Sequence, residues 1–365
     1  MVIDGYRAEH FRNLKNIELV PDAGINVIFG ENGQGKTNII ESIWMFTGCH
    51  SFRTHKHAEL IEKTQREAQV SLSFSAHGMQ NDAILKINQN REFILNGAGK
   101  ETPRRFLGEF QSVVFSPVSL SIIQDAPSER RKFLDIAISM IRPAYSGHLL
   151  KYSKILANRN ALLKQIALGA TPENYLDAWD EELARAGAKL ALYRLHYVEN
   201  LAHIASEIYK EISGGKELLR VEYQQSSRSF SADEYEMTES IFMGLQKNRE
   251  SDIRRQLTGV GPHKDDLLLT IDTLPARQYG SQGQQRSSAL ALKLSEAYII
   301  KETCGEYPVI LLDDVMSELD SARQSFLLEY LKNWQVFVTC CDVSQVARFK
   351  GCKTFHIENG TCIGE

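Results

Sequence analysis

The 365-residue sequence has little of what marks specialised chains. Nine prolines and 24 glycines without a repeating period exclude a collagen-like or low-complexity chain, and no internal repeat is visible. Nowhere do about 18 apolar residues run together, and Asp4, Arg7 and Glu9 interrupt the stretch where a secretory signal needs an apolar core. The sequence therefore predicts a cytoplasmic protein with no membrane partner. Six cysteines, at 49, 304, 340, 341, 352 and 362, never form CxxC, and with His356 they give no zinc-ligand spacing, so they read as buried reduced thiols. A basic excess is also missing. Lys and Arg total 42 against 46 Asp and Glu, a net charge of −4, so any contact with nucleic acid must use a local patch.

What is present is a hydrophobic content of 43% in a chain long enough for one large domain or two to three ordinary ones. Short alternating or apolar runs read as strands: INVIF at 25–29, QVSLSFSA at 69–76, AILKIN at 83–88 and REFILNG at 91–97. Between 119 and 257 the texture turns helical, with almost no strand signal. There Leu176, Trp179, Leu183, Ala186, Leu190, Tyr193 and Tyr197 form a heptad-like stripe, and Leu149, Tyr152, Leu156, Leu163 and Ile166 form a looser one. Gly169 and Pro172 punctuate the segment between them, which predicts a helix, a turn and a returning helix. That pair reads as a short antiparallel arm or as amphipathic helices packed on a lobe core. Residues 121–165 hold eight basic residues against three acidic, whereas 171–239 hold 7 basic and 14 acidic. After 258 strand and helix alternate again, through DLLLTI, SSALALKLSEAYII, PVILLDD and QVFVTCC.

The strongest motif is G-E-N-G-Q-G-K-T at 30–37, a P-loop with a β-branched strand before it and Ile39, Ile40, Ile43 and Trp44 at helical spacing after it. Gly30, Gly33 and Gly35 let backbone amides wrap a phosphate, Lys36 neutralises its oxygens, and Thr37 ligates Mg²⁺. The apolar run P-V-I-L-L at 308–312 reads as a strand buried on both faces, delivering Asp313 and Asp314 to the ligand-binding edge of a parallel sheet. Asp313 then serves Mg²⁺, and Asp314 is the base for an attacking water.

The run Y-G-S-Q-G-Q-Q-R-S at 279–287, entering a helix, resembles the signature motif of ABC-type ATPases, and S-E-L-D at 317–320 resembles their D-loop. Within that superfamily the chain resembles the RecF family of bacterial recombination and repair proteins. The residues carrying the likeness are F-R-N-L at 11–14, G-E-N-G-Q-G-K-T-N at 30–38, S-F-R-T at 51–54, G-P-H-K-D-D at 261–266, the signature run, and L-L-D-D-V-M-S-E-L-D at 311–320. The resemblance implies an α/β fold: an ABC-type ATPase head of mixed sheets and helices from 1–118 plus 258–365, with an inserted, mostly helical lobe from 119–257 carrying the arm.

It also implies ATP and Mg²⁺ as cofactors, with Arg12, Asn13, Glu31, Asn32, Gln34 and Asn38 at the nucleotide. Ser281, Gln282, Gly283 and Gln284 would close on the nucleotide of a second copy, making an ATP-dependent homodimer. Implied partners are double-stranded and gapped DNA and RecR, with RecO and RecA in the pathway. Arg53, His55 and Lys56 in HSFRTHKH, which suits a phosphate surface of DNA or nucleotide, and Arg130, Arg131 and Lys132 in the basic segment are the expected DNA contacts. Three departures stand out. No glutamine follows SVVF at 112–115, leaving Gln111 and Gln124 as candidates. The late strand ends at Asp342 without a histidine, and Asp314 stands where the superfamily has Glu. A base shorter by one methylene predicts slow hydrolysis, a switch rather than a motor. The alternatives are an ATPase subunit of a transporter or of an SMC-like complex, and a small-molecule kinase, which has no use for a signature motif.

Overall fold

In the computed structural model, residues 1–227, 232–341, 349 and 351–364 are described. The strands in chain order are β1 (Val2–Phe11), β2 (Leu14–Leu19), β3 (Ile25–Phe29), β4 (Ala68–Ala76), β5 (Met79–Ile87), β6 (Arg91–Leu95), β7 (Ser112–Phe115), β8 (Leu219–Gln224), β9 (Asp266–Ile271), β10 (Leu274–Pro275), β11 (Val309–Leu312), β12 (Val336–Cys340), β13 (Lys353–Glu358) and β14 (Thr361–Gly364). The chain divides into two compact units, one of residues 1–120 and 289–365, the other of residues 121–288.

The first unit is built on two sheets. One is antiparallel, in the order β2-β1-β4-β5-β6. Strict apolar–polar alternation along QVSLSFSA makes β4 its central strand, with Val70, Leu72 and Phe74 buried. The other runs β14-β13-β3-β12-β11-β7, parallel except for β14. Every residue of β7, β11 and β12 is buried, as expected where both faces of a parallel strand are covered. The helix Lys36–Trp44 touches β1 of the first sheet and β7, β11 and β12 of the second. It therefore has almost no solvent face, and Ile39, Ile40, Ile43 and Trp44 are buried together with Glu41 and Ser42. Phe46, just beyond it, meets Phe93, Phe106 and Phe110 edge-on at 6.1–6.4 Å and closes the core.

The second unit packs four helices, Pro127–Ile141, Pro143–Ala167, Leu176–Ile212 and Glu234–Arg255, with the antiparallel sheet β10-β9-β8. Residues 258–288, which the sequence reading groups with the head, cluster here because β9 pairs with β8 along its whole length, Asp266 opposite Gln224 through Ile271 opposite Leu219. The same β8 departs from the expected absence of strands in the lobe. The helices Pro143–Ala167 and Leu176–Ile212 pack against each other across the turn at 168–175, and the longer one also packs against Glu234–Arg255 and β8.

G-P-H-K-D-D sits at the centre of this unit. Pro262 O accepts from Arg194 Nη1 at 2.6 Å, Asp265 accepts from Tyr223 OH at 2.6 Å and from the Ser226 amide at 2.8 Å, and Asp266 is held in a two-point pair by Arg130. The motif is thus a structural hub. Burial pushes the Asp265 carboxyl up, against the hydrogen bonds it accepts.

Candidate nucleotide site

Strand β3 ends at Phe29, and the P-loop turns the chain into the helix beginning at Lys36. Gly35 has φ +118, and a Cβ there would lie 2.8 Å from Leu14 Cδ2 and 2.9 Å from Asn13 Oδ1, so only glycine fits. The Asn38 and Ile39 amides bond back to Gly35 O at 2.9 and 3.1 Å, which starts the helix with its N-terminus at the loop. Lys36, buried, donates from Nζ to the carbonyls of Gly30 and Glu31, each at 2.7 Å. The ammonium is therefore already folded over the cradle that would receive a phosphate.

Because β12 lies between β3 and β11, its carboxyl end comes between the P-loop and the carboxylates. Thr37 Oγ1 donates to Asp313 Oδ1 at 2.8 Å, and Thr339 Oγ1 of β12 donates to the same oxygen at 3.0 Å. Burial pushes the Asp313 carboxyl up, opposed by these two hydroxyl bonds and by the more distant charge of Arg53. A hydroxyl and a buried carboxylate already converging are the hard oxygen donors that Mg²⁺ takes, so the residues fit that ion. Asp314 adopts a left-handed conformation, φ +54, held by its amide on Thr339 Oγ1 at 2.9 Å and by Ser317 Oγ on its carbonyl and carboxylate at 2.8 and 2.9 Å. That turn places Asp314 on the wall of a cavity of about 450 Å³, with Lys36, Thr37, Asn32, Gly33, Asn38, Arg12, Asn13 and Arg53.

Around the cavity runs a hydrogen-bond chain. Asn13 Nδ2 donates to Gly33 O at 2.8 Å, Asn38 Nδ2 to Asn13 Oδ1 at 2.6 Å, and Arg53 Nη1 to Asn38 Oδ1 at 2.7 Å. Arg12 grips Glu41 through Nε and Nη2 at 2.5 and 2.6 Å, Arg53 Nη1 reaches Glu41 at 3.2 Å, and the Ser51 hydroxyl completes the set. The sequence reading assigned no role to Glu41 or Thr339, and named Ser51 only as part of S-F-R-T. Gln34 faces away from this network and ties the loop to the β13–β14 turn, its side-chain oxygen accepting the Asn359 amide at 2.6 Å and its carbonyl the Gly360 amide at 3.1 Å. A second cavity of about 630 Å³ shares Arg12, Asn13, Asn32 and Gly33 and extends over Gln34, Lys15, Ile61, Lys63 and Thr64.

The other predicted residues fall elsewhere. In the second unit, Ser281 and Gln284 cap the helix Gln282–Cys304 reciprocally: Gln284 Oε1 accepts the Ser281 amide at 2.8 Å and Ser281 Oγ the Gln284 amide at 3.2 Å. Ser281 and Gln282 are exposed, and Gly283 and Gln284 are half-buried. Gln111 is buried at the amino end of β7, the edge away from the P-loop, and Gln124 bonds Gln285, so neither lines the nucleotide cavity. Asp342 lies outside the described residues. Lys56, with its side chain 80% exposed, pairs with Glu59 at 3.3 Å, and the exposed His55 meets His50 edge-on.

Arg130 requires a correction. Its side chain is 6% exposed, and four of its five N–H donors go to Asp266 and to the Ile122 and Asp125 carbonyls. It is a strut of the second unit with little left for a phosphate. Arg131 spends Nη1 on Asp265 O, and Lys132 is half-buried. Of the cysteines only Cys49 and Cys340 are buried, while Cys341 is exposed at the cavity, its Sγ 2.9 Å from Asn32 Oδ1.

A P-loop whose threonine bonds a strand-end carboxylate, on a parallel sheet backed by an antiparallel one, defines the head of an ABC-type ATPase. The chain belongs to the RecF family: the model of the RecF/RecN/SMC N terminal domain matches residues 2–362. DNA replication and repair protein RecF of Clostridium tetani is 37% identical over 358 residues, covering 97% of each chain. That of Clostridioides difficile is 37% identical over 367 residues, covering 100% of this chain and 98% of the other. A solved structure described as the recombination mediator protein RecF-ATPrS in the RecFOR pathway superposes with a TM-score of 0.92 at 37% identity, over 99% and 97% of the two chains. The Smc head domain of Pyrococcus furiosus, at 16% identity and a TM-score of 0.56, shares the fold.

Proposed function

We propose that the chain is an ATP-dependent DNA-binding switch of recombinational repair. The observation that carries this reading is the Thr37–Asp313 bond, which ties the P-loop to the buried carboxylate next to Asp314 on the wall of the cavity. Lys36 exchanges the Gly30 and Glu31 carbonyls for phosphate oxygens. Thr37 and Asp313 hold Mg²⁺, which when bound neutralises charge on the phosphates. Asp314, one methylene shorter than glutamate, accepts the proton of the attacking water from farther away, so turnover is slow.

In this reading residues 281–284 close on the nucleotide of a second copy, and the exposure of Ser281 and Gln282 favours that role. Residues 1–120 and 289–365 act as the head, and the rest as an inserted lobe. Dimerisation brings the local basic patches of two copies to one DNA, with Arg53, His55, Lys56, Arg131 and Lys132 as DNA contacts, so that binding rests on these patches and not on the net charge of −4 per chain. RecR, and RecA loading at gapped DNA, complete the proposal, as the resemblance to the RecF family implies.

The test titrates duplex and gapped DNA with ATP, ADP and a non-hydrolysable analogue at two salt concentrations, alongside ultracentrifugation. Expected are ATP-dependent dimers that bind DNA less tightly in high salt. Lys36→Met should bind no nucleotide, and Ser281→Arg should bind ATP yet stay monomeric. Dimers of Ser281→Arg in ATP would refute the closing role of the signature run.

A further inference from the structure

One carboxylate of the second unit stands between the signature run and the end of the long helix Leu176–Ile212. Past Ile212 the amides of Ser213, Gly214 and Gly215 bond back to the carbonyls of Tyr209, Glu211 and Lys210 at 2.9, 3.1 and 2.8 Å, and Gly214 and Gly215 take φ of +65 and +76. Such a helix-ending turn reverses the chain and brings Glu217 back beside the last turn of the helix. There Glu217 Oε2 accepts from Tyr209 OH at 2.7 Å, and Oε1 accepts from Gln284 Nε2 at 2.8 Å. Tyr209 is fully buried and Glu217 half-buried.

The chemistry of the partner decides which way the Gln284 amide faces. An ionised carboxylate only accepts, so of the two ends of that amide it can meet only Nε2. Oε1 is then left for the Ser281 amide, and Ser281 Oγ takes the Gln284 amide in return. Because Oγ acts there as an acceptor, the hydroxyl proton is kept for a further acceptor. Turned over, the same amide would set Nε2 against the Ser281 N–H and Oε1 against a carboxylate, two repulsions in place of two hydrogen bonds. Glu217 thus selects one of two orientations that have nearly the same shape.

We propose that Glu217 is a positioning residue of the signature run: by fixing the Gln284 amide it sets the turn that offers the Ser281 hydroxyl to a phosphate of the second copy, and through Tyr209 it fastens that turn to the end of the long helix. This rests on the reading of residues 281–284 as closing on a second copy's nucleotide. The sign of the effect separates positioning from plain charge. A negative charge behind a surface that receives a triphosphate opposes the approach, so removing it as a charge tightens the dimer. Removing it as a positioning group loosens the dimer.

The experiment compares full-length wild type, Glu217→Gln, Tyr209→Phe and the double variant. It measures ATP affinity by calorimetry, the dimer dissociation constant in a non-hydrolysable ATP analogue by ultracentrifugation, and the thermal midpoint. Gln at 217 keeps the volume but can turn either end of its own amide towards Gln284, so the orientation is no longer imposed. Expected is a dimer weakened about tenfold in Glu217→Gln and about threefold in Tyr209→Phe, which removes one of the two anchors, with ATP affinity within about twofold of wild type. The double variant should dimerise no more weakly than Glu217→Gln, since both act through one carboxylate.

The proposal is overturned if Glu217→Gln dimerises within about twofold of wild type or more tightly, or if the two losses add. It is equally overturned if ATP affinity, dimerisation and midpoint fall together, as a merely structural role requires. Should Glu217→Gln not fold, Tyr209→Phe decides alone, and wild-type dimerisation sinks the assignment. Dimers of Ser281→Arg in ATP would sink the reading of the signature run and the proposal with it. A monomeric Ser281→Arg beside a normally dimerising Glu217→Gln sinks the proposal only.

Discussion

Arginines 130 and 131 and Lys132 are neighbours of one charge, yet they face three fates. Arg130 is clamped by Asp266, Arg131 caps a carbonyl, and Lys132 stands half-buried, its ammonium paired with no acid among the described residues. Arg130→Ala should therefore cost about 3–5 kcal/mol in urea unfolding, because it strands Asp266. Lys132→Glu should stay within about 0.5 kcal/mol of wild type and, if the lysine meets a phosphate, lower the slope of DNA affinity against salt by roughly one. Equal DNA losses from both variants with no change in stability would contradict this division. Charge runs say where basic residues are, not which of them the fold consumes. The P-loop and Asp313–Asp314 were legible because their chemistry is local, a turn and a strand end. Glu41 was not, since its burial arises only when β1 and the 51–54 segment close over the helix.

At the scale of elements, the helix Leu176–Ile212 shows how a pattern can be half right. The sequence stripe through Leu176, Leu183, Leu190 and Tyr197 is buried, but its companion line is Asp180, Gly187 and Arg194 instead of Trp179, Ala186 and Tyr193. Hydrophobic periodicity passes over a core position occupied by a charge. Asp180 is buried against Arg159 at 2.7 Å and Arg194 against Asp135 at 2.8 Å, partners supplied by other helices. The β13–β14 hairpin is a second case. Its Asn359–Gly360 turn has φ of +50 and +78, and a Cβ on Gly360 would stand 2.0 Å from Asn13 O. Gly360→Ala should destabilise by about 1–3 kcal/mol. By displacing Asn13 and Gln34 it should also weaken ATP binding about tenfold, a loss of roughly 1.4 kcal/mol. Gly97→Ala, at φ +72 with open space around it, is the control and should leave ATP binding unchanged. Calorimetry on both variants separates backbone strain from displacement of the loop.

For the whole molecule, His263 sets a pH dependence. Thr258 O at 3.0 Å requires a donor, so Nε2 carries the proton and Nδ1 accepts from Tyr152 OH at 2.6 Å, a neutral ring with both nitrogens satisfied. Burial pushes its pKa down to about 4 from 6.5. Below pH 6.5 the unfolded chain takes up a proton that the folded chain refuses, so stability is full above that pH and falls towards pH 4. The slope from this group approaches about 1.4 kcal/mol per pH unit. His263→Gln, which keeps an acceptor and a donor, should flatten the slope by about one proton between pH 6.5 and 5 in denaturant titrations. An unchanged slope would show that the ring titrates normally.

The neighbours of β3 in its sheet have a consequence for synthesis. The strand that launches the P-loop pairs with β12 on one side and β13 on the other, and Thr37 meets a carboxylate 276 residues further along. On the ribosome, residues 25–37 emerge early and wait for residues 336–356. At about 5–20 residues per second that is a delay of roughly 15–60 seconds. Meanwhile an apolar strand edge and a phosphate-binding loop stand without their partners. A nascent chain stalled before β11 should therefore retain no ATP, however complete its P-loop.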